Sequence, residues 1–253
     1  MVWAWVACVA GIVAFQFAIG RGQSGNKGAV YGALRSDPHA KRRAQHVITG
    51  LMIYVASGWF SAEAAVVILF SCALGLYCVH IARKRYAEFN KMYVEQLGAL
   101  MRPAEINHTV LPGAFYFLVG CGMVIALFQH DVARLAILHV RNRLLLGPQF
   151  RKRDPAAAVV GSLYGRTRFW PSGKSLEGYV GCFIASATAS LVAFIWQSTP
   201  ESSATAMLGK AAIAGLCAAV AEGIDVGSWD DNLSLPLLSA LFMICGRLTL
   251  GII

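Results

Sequence analysis

Apolar residues in this chain form long blocks rather than the stripes of amphipathic helices. A helix needs about 20 apolar residues to cross the hydrocarbon core of a bilayer, and several blocks meet or approach that length. The pattern predicts an all-α fold, a polytopic transmembrane helical bundle of about eight spans. We place these spans at 2–19, 46–60, 62–82, 110–128, 132–148 (the weakest), 177–196, 204–222 and 233–252, and a helix of small residues at 155–165.

The composition supports a membrane protein. The chain has 253 residues, of which 57% are hydrophobic and 14% charged, whereas a soluble domain has about a quarter charged residues. The net charge of +9 does not call for a nucleic-acid partner, because cytosolic loops of membrane proteins are rich in Lys and Arg. The seven cysteines lie in apolar blocks without a CxxC pair, so neither a disulfide framework nor a zinc site is expected.

The basic residues predict the orientation. All but three of the 22 Lys and Arg residues fall in the alternate segments 20–45, 83–109 and 141–176, whereas the turns at 60–63 and 197–203 have none. By the positive-inside rule these segments face the cytosol and the N-terminus lies on the non-cytosolic side. The first apolar block lacks a basic leader and a clear cleavage site, so we expect a retained anchor.

Two polar clusters lie at predicted cytosolic helix ends. The first contains Arg43 and His46, followed by Gly50; the spacing alone favours the alternative, a positive-inside anchor. The second contains Glu105 and Asn107, just before an apolar block; a helix cap with an acid near the helix dipole is the alternative. Ionisable residues at such positions are candidates for function by default.

The third cluster opens with an acid and continues through glycines and basic residues. Gly lets backbone amides approach phosphate, and Lys and Arg neutralise its charge. The outline resembles a nucleoside triphosphate site, although it is neither a Walker A loop nor a Rossmann fingerprint; tight packing with basic residues at the interface is the alternative. Its members are Asp154, Gly161, Gly165, Arg166, Arg168, Lys174 and Gly178.

The fourth cluster is acidic, with Glu222, Asp225, Asp230 and Asp231 followed by Asn232. Hard oxygen ligands of this kind suit Mg²⁺, which binds one or two carboxylates plus substrate phosphates. The alternative is an acidic loop that pairs with the basic ones. A basic phosphate site facing an acidic metal site contains the parts that phosphoryl transfer needs.

The clusters in this order resemble the membrane-bound lipid kinases that include CTP-dependent diacylglycerol kinase, dolichol kinase and phytol kinase, which are similar in turn to CDP-diacylglycerol synthases. The resemblance covers roughly residues 40–245, so we expect an anchor span and basic loop at 1–45 and a membrane-embedded catalytic domain at 46–253. The stretches at 105–107 and at 222–225 leading into 229–232 favour the diacylglycerol kinase branch.

The resemblance implies a mechanism and a set of roles. A kinase of this family would transfer the γ-phosphate of CTP to a lipid hydroxyl, most simply that of diacylglycerol, with Mg²⁺ or another divalent cation, on the cytosolic face of the endoplasmic reticulum. Asp154, Asp230 and Asp231 would act as metal ligands or general base, with Glu222 as a further ligand. Phosphate and nucleotide would bind Lys174, Arg166, Arg168, Gly161, Gly165, Gly178 and Asn232, while Arg43, His46, Glu105 and Asn107 complete the site.

Three alternative functions stay open at this point. The acceptor could be dolichol, phytol or another polyprenol. The reaction could be cytidylyl transfer to phosphatidic acid, since both reactions bind CTP and metal. A non-catalytic transporter or scaffold would explain the spans and basic loops, but not an acidic cluster beside a Gly-rich turn.

One segment departs from the family pattern. Family members have an apolar span that runs directly into the Asp-bearing motif, whereas here residues 141–153 add five basic residues before Asp154. This looks like an insert of about ten residues, either a genuine loop or a retained intron. If it displaces Asp154, it would weaken the enzyme.

Overall fold

The computed structural model describes residues 48–56, 58–107, 109–128, 130–146, 176–197, 203–224 and 226–250. All regular structure in these ranges is helical, as the sequence predicts. The helices are α1 (48–56), α2 (Ala62–Arg85), α3 (Ala87–Leu97), α4 (Pro103–Ile106), α5 (Gly113–Leu127), α6 (His130–Leu146), α7 (Leu176–Gln197), α8 (Ala204–Gly223) and α9 (Asp231–Leu250), with a 3₁₀ turn at Gly98–Leu100.

Three helical segments of the described chain are long and apolar enough to cross a membrane: Ala62–Arg85, Tyr179–Gln197 and Ala204–Gly223. Large apolar side chains on these helices point outward, among them Leu74, which is 62% exposed. An outward apolar face suits a lipid environment. The helical membrane fold is therefore confirmed in outline, while the total of eight spans and the orientation stay predictions; the span at 2–19 and the helix at 155–165 lie outside the described residues.

The start and the end of helix α2 both have residues that favour helix termini, and the helix is long enough to cross a membrane. Ser61 caps its start, since its hydroxyl accepts a hydrogen bond from the Ala64 amide at 3.3 Å. Basic residues fill its last turn, where they complement the helix dipole. At about 1.5 Å per residue, its 24 residues can cross the hydrocarbon core with a turn to spare.

Helix α6, predicted as the weakest span, lies in the centre of the bundle. It packs against α5, α7, α8 and α9, and nearly all of residues 132–139 are buried. This buried stretch is mostly apolar, and the weak hydropathy signal of the helix comes largely from polar residues near its two ends, such as Asp131, Arg141 and Arg143. His139 is buried there and bonds to Ser239 on α9 through Nδ1 (2.8 Å) and to Ser190 on α7 through Nε2 (2.9 Å).

Small residues allow close contact between neighbouring helices. A Cβ at Gly215 on α8 would lie 2.8 Å from both the backbone nitrogen and the Cβ of Ala187 on α7. A Cβ at Gly120 on α5 would lie 2.8 Å from the carbonyl oxygen of Asn232 on α9. These helix pairs approach at distances that only glycine permits at the contact point.

The long helices alternate in direction, which divides the bundle into two ends. At one end, the Tyr54 hydroxyl accepts a hydrogen bond from Gln197 Nε2 at 3.0 Å, and the Arg134 guanidinium lies 4.7 Å from the Tyr54 ring centroid. We call the end that contains Tyr54, Arg134 and Gln197 the opposite end, and the other end, described next, the charged end. The charged end holds the C-termini of α2 and α8, the N-termini of α5 and α9, and the helices between α2 and α5.

The segment 83–109, expected to be a loop, contains α3, the 3₁₀ turn and α4. Pro103 starts α4 at a position where proline is favoured, because no amide is needed there. Helix α6 agrees with the predicted span at 132–148, and because it continues to Leu146, the first half of the proposed insert at 141–153 extends this helix. Residues 147–153 lie outside the described residues.

Candidate active site

The Glu105 carboxylate accepts hydrogen bonds from backbone amides at the N-termini of two helices. Its Oε2 accepts a hydrogen bond from the Arg102 amide at 3.0 Å at the start of α4. Its Oε1 accepts one from the Gly113 amide at 2.9 Å at the start of α5. The side chain is buried, so these bonds replace those that water would make. The capping explanation considered from the sequence therefore describes its contacts well.

Arg102 connects this cap to the acidic cluster. Its Nη1 donates to Asp230 Oδ2 at 2.9 Å, and its Nε lies 3.9 Å from Glu105 Oε1. Arg102 and Asp230 are 128 positions apart in the sequence. Part of the Arg102 side chain is exposed, so the ion pair meets the surrounding solvent at the charged end.

Asp230 and Asn232 organise the start of α9. Asp230 Oδ1 accepts a hydrogen bond from the Asn232 amide at 3.0 Å, the usual contact of an aspartate that caps a helix. The Asn232 Nδ2 donates to the Gly113 carbonyl at 3.3 Å. The second and fourth clusters of the sequence thus form one bonded network.

Gly113 lies where this network is most crowded. A Cβ there would lie 3.0 Å from Asn232 Nδ2 and 3.5 Å from Glu105 Oε1. A side chain would therefore push apart the groups that connect α5 with α9. Glycine therefore leaves the Asn232 amide in contact with α5 without displacement.

The end of α8 meets the start of α7. Ring atoms of Tyr179 lie 2.9 and 3.0 Å from the position of a Cβ on Gly223, which follows the buried Glu222. Gly178, the last residue of the predicted segment at 174–178, belongs to the same first turn of α7. The described edge of the third cluster therefore lies close to Glu222 of the fourth, while the predicted arrangement of a phosphate site facing a metal site stays a prediction.

The remaining predicted site residues fall into two groups. Asn107 and Asp231 are described and exposed, with Asp231 in the first turn of α9, and Gly50 is buried in α1. The other residues lie outside the described ranges, and their roles stay predictions: Arg43, His46, Asp154, Gly161, Gly165, Arg166, Arg168 and Lys174.

The described carboxylates alone do not fit a closed metal site. Within the part of the chain that the structure describes, no three His, Cys, Asp or Glu side chains are grouped to hold an ion. Both oxygens of Asp230 have protein partners, so a cation would compete with Arg102 for Oδ2.

Two basic residues of this end, Arg83 and Arg102, were interpreted from the sequence only as markers of orientation. The sequence Arg-Pro-x-Glu signals that the Glu105 carboxylate reaches back to the Arg102 amide, but it does not signal the ion pair of Arg102 with Asp230. Arg83 lies over the ring of Tyr93, 4.5 Å from its centroid. Burial raises the pKa of the Tyr93 hydroxyl, so the phenol stays neutral at physiological pH.

Three known proteins are similar to the chain, each named CTP-dependent diacylglycerol kinase 1. The Eremothecium gossypii protein is 31% identical over 180 residues, which is 64% of this chain and 52% of that protein. The Saccharomyces cerevisiae protein is 31% identical over 183 residues, 66% of this chain and 59% of that protein. The Schizosaccharomyces pombe protein is 25% identical over 209 residues, 80% of this chain and 90% of that protein.

The chain is similar to the CTP-dependent diacylglycerol kinases, which supports the family that the sequence clusters predict. The chain spans between half and three fifths of the length of the first two kinases. No protein-family model and no solved structure matches it.

Proposed function

We propose that this protein is a membrane lipid kinase that transfers the γ-phosphate of CTP to diacylglycerol and releases phosphatidic acid and CDP. The observation that carries the proposal is the similarity to three kinases named for CTP and diacylglycerol. The network from Glu105 through Arg102 to Asp230 supports it, since charged side chains from distant parts of the chain meet at one end of a membrane bundle. Such a cluster is typical of a site at a membrane surface.

In the proposed reaction the lipid hydroxyl oxygen attacks the γ-phosphorus in line. The bond between the γ-phosphorus and its bridging oxygen breaks, and CDP leaves with that oxygen. The hydroxyl proton passes to a carboxylate, for which Asp154 is our candidate. A divalent cation, when bound, would neutralise the phosphate charge, with Asp154, Asp230, Asp231 and Glu222 as the candidate ligands.

The bonded residues would fix the geometry rather than react. Glu105 and Asn232 tie the start of α5 to the start of α9, which keeps Asp230 and Asp231 at one place. Lys174, Arg166 and Arg168 would bind the phosphates, and Arg43, His46 and Asn107 would complete the site. We propose that this end faces the cytosol, in agreement with the basic segments of the sequence.

Two parallel reactions test the proposal. The purified protein in detergent is given Mg²⁺ and CTP labelled at the γ-phosphate, with diacylglycerol, dolichol or phytol in separate tubes. A second set contains phosphatidic acid and CTP labelled at the α-phosphate. Label in phosphatidic acid from the γ position is the expected result; transfer to dolichol or phytol alone would change the acceptor.

The other outcomes contradict the proposal in distinct ways. Label in lipid only from the α position would identify a cytidylyltransferase. No transfer from intact protein would contradict the assignment for this form of the chain. The variant lacking residues 141–153 would then show whether that segment blocks activity.

A further inference from the structure

Arg83 differs from the two basic residues that follow it at the end of α2. Lys84 and Arg85 are exposed, as expected for residues that anchor a span at the membrane surface. Arg83 is only 2% exposed. An anchoring residue extends its charge toward water and headgroups, so the burial of this guanidinium needs another explanation.

The guanidinium joins three elements of the charged end. Its Nε donates to Asn90 Oδ1 on α3 at 3.1 Å, and its Nη2 donates to the Glu105 carbonyl on α4 at 3.2 Å. Its central carbon lies 4.5 Å from the centroid of the Tyr93 ring, within the range of a cation–π interaction. The planar fork of arginine makes these contacts simultaneously, which a lysine ammonium cannot do.

Stability alone does not account for this arrangement. The third nitrogen, Nη1, is buried and has no hydrogen-bond partner in the described part of the chain. A buried charge with incomplete bonding is costly, and apolar residues of similar volume are often as stable. A buried arginine at such a place is therefore explained better by what it positions than by what it stabilises.

The group that Arg83 holds is the backbone of Glu105. The carboxylate of this same residue bonds the start of α5 and lies beside Arg102, which in turn bonds Asp230. A shift of the Glu105 backbone would therefore move groups on both sides of the proposed site.

We propose that Arg83 is a positioning residue, which fixes the Glu105 turn against the end of α2 and thereby sets the geometry of the proposed kinase site. The kinetic part of this inference rests on the proposed function. The structural part does not, because it concerns only the order of residues 103–107 and Thr109.

The kinetic test compares Arg83→Lys with Lys84→Gln, a matched control one residue along the same helix. We expect Arg83→Lys to lower kcat about 10- to 100-fold with KM for CTP within about threefold, because positioning acts on the reacting geometry. Lys84→Gln should stay within about twofold of wild type. Wild-type kcat in Arg83→Lys would overturn the proposal.

A double variant separates positioning from a general loss of folding. If Arg83 acts through Glu105, Arg83→Lys should cause at most about a twofold further loss in kcat when added to Glu105→Gln. Losses that multiply would show that Arg83 acts independently and would overturn the proposal. Asn90→Ala, which removes the Nε partner, serves as a second variant and should show the same kcat loss to a smaller degree.

Hydrogen exchange of the detergent-solubilised protein provides a readout without activity. The amides of Glu105, Ile106, Asn107 and Thr109 bond to carbonyls of residues 102–104. These amides should exchange faster in Arg83→Lys than in wild type or Lys84→Gln, whereas those of α8 stay unchanged. Unchanged exchange of the amides at 105–107 and of Thr109 would overturn the inference. If the wild-type protein phosphorylates no lipid, the proposed function fails, and this experiment still decides the role of Arg83.

Discussion

The charged end and the interior of the bundle both contain polar side chains, but they bond them in different ways. In the interior, His139 bonds to two serines and all three side chains are buried. At the charged end, the bonded partners carry opposite charges, and the Arg102 and Asp230 side chains remain 36% and 13% exposed.

This difference indicates that the two networks have different functions. A closed, buried network holds helices in register, because its groups cannot leave one another without losing their bonds. A charged network that reaches the surface can exchange its internal partners for those of a ligand. Variants at the charged end should therefore affect activity first, and variants elsewhere in the bundle should affect stability first.

The largest effect is expected at Asp154, our candidate for the general base. Asp154→Asn should lower kcat about 10²- to 10⁴-fold, the usual contribution of a general base, while the protein accumulates normally in membranes. γ-Phosphate transfer at matched protein amounts measures this. Unchanged turnover would remove Asp154 from the mechanism.

Packing between α7 and α8 offers the next test. Gly215→Val should destabilise the protein by on the order of 3 kcal/mol, because a side chain there meets the Ala187 backbone. Gly209→Val on the same helix is the control, since a Cβ at Gly209 has no atom within 4 Å. Thermal unfolding in detergent distinguishes them, and equal melting temperatures would contradict the close α7–α8 contact.

The interior network should matter for stability and not for turnover. His139→Ala leaves two serine hydroxyls without their partner and should cost about 2 kcal/mol. We expect kcat per folded protein to stay within about threefold, since His139 lies inside the bundle. A stable variant that has lost activity would place the interior in the site and break the comparison.

The smallest effect is expected at the opposite end. Tyr54→Phe removes the hydroxyl that accepts the Gln197 bond and should cost about 1 kcal/mol. The phenylalanine of this variant keeps an aromatic ring in contact with the Arg134 guanidinium. Thermal unfolding should show the small loss, and a large fall in kinase activity would indicate that the opposite end takes part in the reaction.

Much of the bundle follows from the sequence alone, because lipid imposes a length and an apolar character on each span. The predicted spans at 62–82 and 204–222 agree closely with α2 and α8. Helix α3 was missed because its low hydropathy was interpreted as a loop between spans, although it is rich in helix formers and none of its residues is fully buried. The central position of α6 could not be predicted, since hydropathy measures exposure to lipid and not contact with protein.

The sequence predicted clusters of site residues, but it did not predict the hydrogen bonds and ion pairs that join those clusters. The sequence indicates Glu105 and Asp230 as candidates, yet only the fold shows that Arg102 joins them. Arg83 was missed for a geometric reason. Consecutive helical residues point about 100° apart, so one of three basic residues in a row can face inward while the pattern stays the same.

On our account the charged end carries the chemistry and the opposite end does not. The most direct test compares variants at both ends in one assay. γ-Phosphate transfer from CTP to diacylglycerol is measured for the double variant Asp230→Asn, Asp231→Asn, for Tyr54→Phe and for wild type, at equal amounts of protein in the same membranes. We predict that the double variant loses at least about 100-fold in rate, while Tyr54→Phe stays within about twofold. A double variant that works at the wild-type rate would contradict our account, because the charged end would then not carry the chemistry.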